Sequence, residues 1–212
     1  GDHRDLHSFP TRRFPIFERC EVIGLDITNG QIVGVETNQG RIGSARVGVA
    51  VAGHSSEVMR HAGLRLPIES HVLQAFVTEG LKPVIPRVIT YGAGHFYISQ
   101  SDKGGLVFGG DLDGYNSYAS RGNLPVVEDV CEGGMSIMPM LGRARLLRSW
   151  GGVMDMSMDG SPIIDQTKVD GLYFNGGWCY GGVKAKPASG WVFAHLLVTG
   201  PPNVTARAFR FD

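Results

Sequence analysis

The residue types best suited to chemistry gather between Leu172 and His195, in LYFNGGWCYGGVKAKPASGWVFAH. Four glycines within seven residues, Gly176, Gly177, Gly181 and Gly182, separate the short apolar run Leu172-Tyr173-Phe174 from Lys184. A strand, a glycine-dense turn with one cation and then a helix make a place where backbone N–H groups and a helix N-terminus meet an anionic or heteroaromatic ligand. The plainer alternative is that the glycines only serve tight turns. Lys184 likewise is either a solvated loop lysine or a fixed cation aimed at an anion. Cys179, inside the turn, is either a reactive thiol or, as free cysteines more commonly are, a small buried filler. Arg143, Arg145 and Arg148 run up to Trp150. Strand alternation sets the first two on one face and the third on the other, as solvated charge or as partners of a phosphate or carboxylate. Other chemistries lack support. His54, His71 and His95 have no H-x-x-x-H spacing for a metal, and Ser161 in Gly160-Ser161-Pro162 is not a nucleophile elbow.

Elements must hold these residues in place. Leu172–Phe174 reads as one buried strand, and Ser189–Leu197 as a helix with Ser189 at its N-cap. Upstream, two β-branched alternating runs meet at Asn29-Gly30, a strong hairpin signal, and Gln39-Gly40 makes a second turn. Val47–Ala52 is expected to be a fully buried strand ending at Gly53, of the kind whose end faces a ligand crevice in an α/β sheet. His54–Gly63 reads as a short helix capped by Ser55 or Ser56. SHVLQAFVTE, RVITYGAG, HFYISQS and GLVFGG, within residues 70–125, are strands of an antiparallel sheet. Val126–Met138 is helix-like, Arg143–Trp150 a strand or strand entry, and Gly151–Asp165 a polar loop. Residues 1–19 form an irregular or truncated start, and residues from Asn203 on an unanchored tail. No G-x-G-x-x-G follows a strand, so the hairpin and the Val47–Gly53 strand look like the second half of a dinucleotide-binding sheet.

The totals narrow the function. The 212 residues, 42% hydrophobic and 19% charged, suffice for one large domain or two small ones. Lys+Arg and Asp+Glu both number 20, a neutral balance that argues against nucleic acid or an anionic membrane as the main partner. No run approaches the roughly 18 apolar residues of a membrane span. Three scattered cysteines, Cys20, Cys131 and Cys179, indicate neither a disulfide framework nor a zinc cluster and suit a reducing cytoplasm.

Taken in order, CEV-x-G, VAGHSS, AGLRLPIESHVLQA, YISQSDKG-x-LV-x-G, DGYNSY, LRSWGG, SPII and GW-x-x-GG-x-KA-x-P-x-SGW resemble the beta subunits of heterotetrameric sarcosine oxidases. These belong to the D-amino-acid-oxidase-like flavoproteins. The resemblance covers the chain from about Cys20 to His195. It implies a mixed α/β fold in which a Rossmann-type FAD-binding domain is interrupted by an antiparallel-sheet substrate domain. On this chain the FAD domain would take residues 20–64 and 146–200, incompletely, and the substrate domain residues 65–145, with 1–19 as the irregular start and 201–212 as the tail.

The implied reaction is the oxidative demethylation of sarcosine to glycine, formaldehyde and hydrogen peroxide. Hydride leaves the N-methyl carbon for FAD, and electrons pass to an FMN shared with the alpha subunit. NAD and folate belong to a partner subunit, and gamma and delta subunits complete the assembly. Dimethylglycine or another N-methyl amino acid is an alternative substrate, and a non-catalytic remnant or assembly module an alternative role.

Residue by residue, Gly181-Gly182-Val183-Lys184 matches the family's flavin-contacting GGFK. Lys184 would meet the flavin pyrimidine edge and the substrate carboxylate. Tyr180 stands where the family has threonine beside the flavin, and Cys179 where it has glycine. If that glycine needs positive φ, cysteine costs on the order of 1 kcal/mol there. Val22 matches a position at the FAD adenosine end, and Gly53 closes a strand beside the dinucleotide. His95 and Arg148 fall where the family contacts FMN, and His3 matches the FMN-linked histidine only across a gap.

Overall fold

A computed structural model describes residues 15–92, 96–200 and 207–211. It is a mixed α/β structure with three sheets. The first is the expected hairpin, β1 (Val22–Thr28) and β2 (Gln31–Thr37), extended by β3 (Gly40–Gly43). Asn29 and Gly30 have φ of 51° and 79°, the two positive values that a type I′ turn requires and that Asn-Gly supplies most cheaply.

The second sheet carries the architecture of the site. β11 (Leu172–Gly176) lies at its centre, parallel to β4 (Val47–Val49) and antiparallel to β10 (Ile163–Gln166). All of β11 is buried, because both of its faces are covered. Leu172 and Phe174 enter a core with Ile32, Val49, Met59 and Ile163, whereas Tyr173 packs with Val192, Phe193 and Leu196 of α3 (Gly182–Thr199). Alternation along one strand thus joins two cores. None of the described helices is long and apolar enough to cross a membrane.

The third sheet is antiparallel, in the order β6 (Ile89–Tyr91), β7 (Phe96–Gln100), β8 (Gly105–Leu112), β5 (Ile68–Gly80), β9 (Leu146–Ser157). One face is covered by α2 (Leu124–Ile137), whose Val126 and Val130 pack on Phe76, Phe96, Ile98 and Phe108. The side chain of Asn123 caps this helix by accepting from the Val126 amide at 3.0 Å.

Several expectations need correction. Residues 151–157 are not loop: β9 continues through Ser157, paired to β5 from Thr78↔Leu146 to Ile68↔Ser157. Gly151 opens the expected polar loop, yet a Cβ there would lie 2.8 Å from Val72, so the residue is small to admit a neighbour. Before β9, Pro139–Arg143 is a 3-10 turn, so Arg143 and Arg145 share no strand with Arg148. α3 starts seven residues earlier than expected. Pro187 lies inside it and frees the carbonyl of Val183, an exposed residue whose carbonyl water can serve. Ser189 is therefore no cap; its hydroxyl donates to the Lys186 carbonyl. β4 ends at Val49, and Ala52–His54 is a 3-10 turn leading into α1 (Ser55–Arg60), whose N-cap is His54 without a side-chain bond. The serines act elsewhere, Ser55 donating to the Ala52 carbonyl and Ser56 to that of Ile68. The last described segment is anchored: Ile164 donates to the Phe209 carbonyl at 2.7 Å, and the Phe211 ring lies 5.8 Å from that of Phe174.

Candidate active site

Parallel strands open at their carboxyl ends, and here both ends turn through left-handed backbone. After β4, Ala52 has φ 49°; after β11, Cys179 has φ 48°. Left-handed geometry costs a Cβ-bearing residue about 1–2 kcal/mol, and such strain concentrates where function needs a particular shape. Both residues line one cavity of about 740 Å³. Leu73 of β5, Tyr97 of β7 and Val153, Met154 and Asp155 of β9 line it too, so the antiparallel sheet supplies another part of its wall.

β9 ties the two turns to that sheet. A Cβ on Gly53 would lie 2.6 Å from the Val153 carbonyl oxygen, so glycine is what lets the first turn approach β9. Ser70 of β5 donates to the Gly53 carbonyl at 2.6 Å. In the second turn the buried Asp155 carboxylate accepts from the amides of Gly177 at 2.5 Å and Trp178 at 3.3 Å. Ser157 donates to the Gly177 carbonyl at 3.3 Å and sits 3.5 Å from Cys179 Sγ.

Because Cys179 occupies a conformation suited to glycine, Cys179→Gly is expected to raise stability by about 0.5 kcal/mol: strain relief of about 1–2 kcal/mol exceeds the added chain entropy of about 0.5–1. A shift of the urea midpoint measures this, and a lowered midpoint would mean that the contacts of the thiol outweigh the strain.

A 3-10 turn, Cys179–Gly181, leads into α3, whose first turn has no side-chain cap and no acidic residue. The aligned peptide dipoles of the helix give that end a partial positive charge. Lys184 adds a full one; its Nζ donates to the Tyr180 carbonyl at 3.0 Å and its side chain lines the cavity. Burial raises the Tyr97 phenol above its ordinary value. Burial, then the charges of Asp111 and Cys179, do so for Tyr180, so both hydroxyls stay protonated at neutral pH.

Of the residues singled out in the sequence, Cys179, Tyr180, Gly182 and Lys184 line this cavity, and Gly181 lies between Tyr180 and Gly182 in the same turn. Gly53 lies beside it, next to the lining residue Ala52. Two others are elsewhere. Val22 is exposed on β1, and Arg148 is exposed on β9 with its guanidinium 5.5 Å from the centre of the Trp150 ring. His3 and His95 lie outside the described residues. Sequence reasoning missed Ala52, Tyr97 and Asp155. An alternating reading of Val153-Met154-Asp155-Met156-Ser157 would have flagged Asp155 as an inward carboxylate.

Residues 11–196 match the family described as FAD dependent oxidoreductase. Sarcosine oxidase subunit beta of Rhizobium meliloti (strain 1021) is 66% identical over 95% of this chain and 49% of that protein. The namesake in Rhodobacter capsulatus is 45% identical over 87% of this chain and 45% of that protein. The chain thus spans about half the length of these curated relatives. Among solved structures, L-proline dehydrogenase from P. horikoshii superposes with a TM-score of 0.80 at 28% identity, over 90% of this chain and 52% of that one. Glycine oxidase from Geobacillus kaustophilus reaches 0.82 at 18% identity, over 93% and 53%, a likeness of fold. The cavity at the ends of β4 and β11 therefore lies in a chain that belongs to the FAD dependent oxidoreductase family.

Proposed function

We propose that this chain contributes the flavin-edge and substrate portion of a sarcosine oxidase beta subunit. The single observation that carries the reading is the meeting of an uncapped α3 N-terminus and Lys184 in one cavity of about 740 Å³, in a chain so similar to beta subunits of that name. The residues suit FAD. A Cβ on Gly181 would meet nothing within 4 Å, so the turn leaves open space against which a planar ring can lie. Positive charge from α3 and Lys184 complements the electron-rich pyrimidine edge of a flavin.

FAD, when bound, supplies the two-electron acceptor for oxidation of the N-methyl carbon. The balance is sarcosine, O2 and water going to glycine, formaldehyde and hydrogen peroxide. The Lys184 ammonium binds the substrate carboxylate and fixes the distance of the N-methyl group from the α3 turn. Leu73, Val153 and Met154 exclude water from the apolar side of the cavity. Gly181, Gly182 and Tyr180 bound the flavin side, with Gly53 and Val22 toward the nucleotide.

The reading extends to a cytoplasmic assembly with alpha, gamma and delta subunits, an FMN shared with alpha near Arg148, His95 and His3, and NAD and folate on a partner. Residues 20–64 and 146–200 would form the FAD-domain portion and 65–145 the substrate domain. Dimethylglycine is the competing substrate. The strained Cys179 in place of glycine favours a second reading, an assembly module without flavin chemistry.

Titration of the full chain with FAD separates the two. Bound flavin with absorption bands near 370 and 450 nm (roughly, flavin's own) and bleaching by sarcosine is expected. A preparation that stays colourless overturns the catalytic reading, and bleaching by dimethylglycine alone reassigns the substrate.

A further inference from the structure

We propose that Asp155 is the positioning residue of this cavity: by accepting the Gly177 and Trp178 amides, its carboxylate holds the Cys179 turn in the shape that presents the first turn of α3 and Lys184 to the ligand. The inference rests on the flavin reading of the site, but its structural part can be tested apart from it.

A carboxylate 5% exposed in a predominantly apolar wall is costly unless its oxygens are satisfied. Asp155 sets one oxygen, Oδ2, against the two consecutive amides that precede the strained residue. Those amides follow the last residue of β11, so no sheet partner serves them. Gly177, at φ 74°, takes left-handed backbone freely, but Cys179, at φ 48°, holds it only when its surroundings over-determine it. Ser157, two residues further along β9 and so on the same face, takes hold of the Gly177 carbonyl. The turn is thus gripped at one peptide from both sides. The Trp178 indole donates to Asn175 at 2.7 Å and fixes its other end. Asp155 sits on the antiparallel sheet and the turn on the mixed one, so the bond sets the spacing of the two walls between which a ligand would lie.

Geometry alone is at stake, so an amide in place of the carboxylate suffices. An asparagine carbonyl oxygen accepts the same two N–H groups. In Asp155→Ala, hydrogen exchange at the Gly177 and Trp178 amides, read by NMR on the full chain, is expected to accelerate about a hundredfold. The Kd for FAD by calorimetry is expected to rise about tenfold or more. In Asp155→Asn both quantities stay within about threefold of the parent, and the pH profile of kcat is unmoved. Unchanged exchange and affinity in Asp155→Ala would overturn the proposal. Asp155→Asn behaving like the alanine variant, or a displaced pH profile, would also overturn it and assign Asp155 a charge-dependent part in the chemistry. If the alanine variant does not fold, Asp155→Asn decides alone, with Ser157→Ala expected to accelerate exchange about tenfold or less. Should the parent bind no FAD, the flavin reading fails while the exchange contrast still tests the anchor.

Discussion

On the proposed sarcosine oxidase reading, Lys184→Ala is expected to lower kcat/KM for sarcosine by about a hundredfold, with the larger part in KM and a slower flavin reduction step. The expectation comes from the place of the residue rather than its charge alone. Lys184 belongs to the first turn of α3, so its backbone is held by an 18-residue helix whose other end packs on Tyr173 and Ile164. Its Nζ is steered by the Tyr180 carbonyl at 3.0 Å. A cation held at both ends of its side chain loses little entropy when it binds a carboxylate. Lys184→Arg keeps the charge but moves it and brings a planar fork, so it should recover only part of the loss. Stopped-flow reduction by sarcosine separates the binding and chemical effects. Kinetics unchanged in Lys184→Ala would remove the residue from the site.

Phe174→Ala is expected to lower the unfolding free energy by about 3–5 kcal/mol. The ring is fully buried in the core formed by Ile32, Val49, Met59 and Leu172. It also meets the Phe211 ring at 5.8 Å, so truncation loosens the last described segment as well. Phe174 lies two residues before Gly176, where β11 ends at the cavity, and pairs with Val49 of β4. The loss should therefore extend to ligand affinity. Urea denaturation with and without FAD measures both. A loss under about 1 kcal/mol would mean that the site collapses around the missing ring, as well-relaxing cores do.

Local chemistry made part of the fold legible. Asn29-Gly30 specifies its turn because positive φ at two adjacent residues is a property of those residues themselves. β11 was readable for a similar reason: a short apolar run bounded by glycine suits a strand covered on both faces. Where glycine has two meanings, reading failed. Gly151-Gly152 resembles a break, but the ladder from β5 and the nearness of Val72 keep it in β9. Losing that strand to a loop hid Asp155, which gains meaning only from two amides more than twenty residues away. Pro187 misplaced the start of α3, because solvent access to the freed carbonyl decides whether a helix tolerates proline. Likewise Phe209 and Phe211 looked like tail, since their partners Ile164 and Phe174 are distant in sequence.

By itself the sequence determined the kinds of group at the site: glycines at the turn, a cysteine among them, and lysines beyond. These follow from side-chain chemistry and backbone preference, which act over a few residues. Only the tertiary structure decided that Lys184 stands on a helix, that Ala52 and Cys179 share a cavity, and that a carboxylate from another sheet holds the turn between them. Such relations depend on which strand ends meet and how closely β9 approaches them. Burial of whole faces and long-range hydrogen bonds set that approach, and no short window of residues contains it.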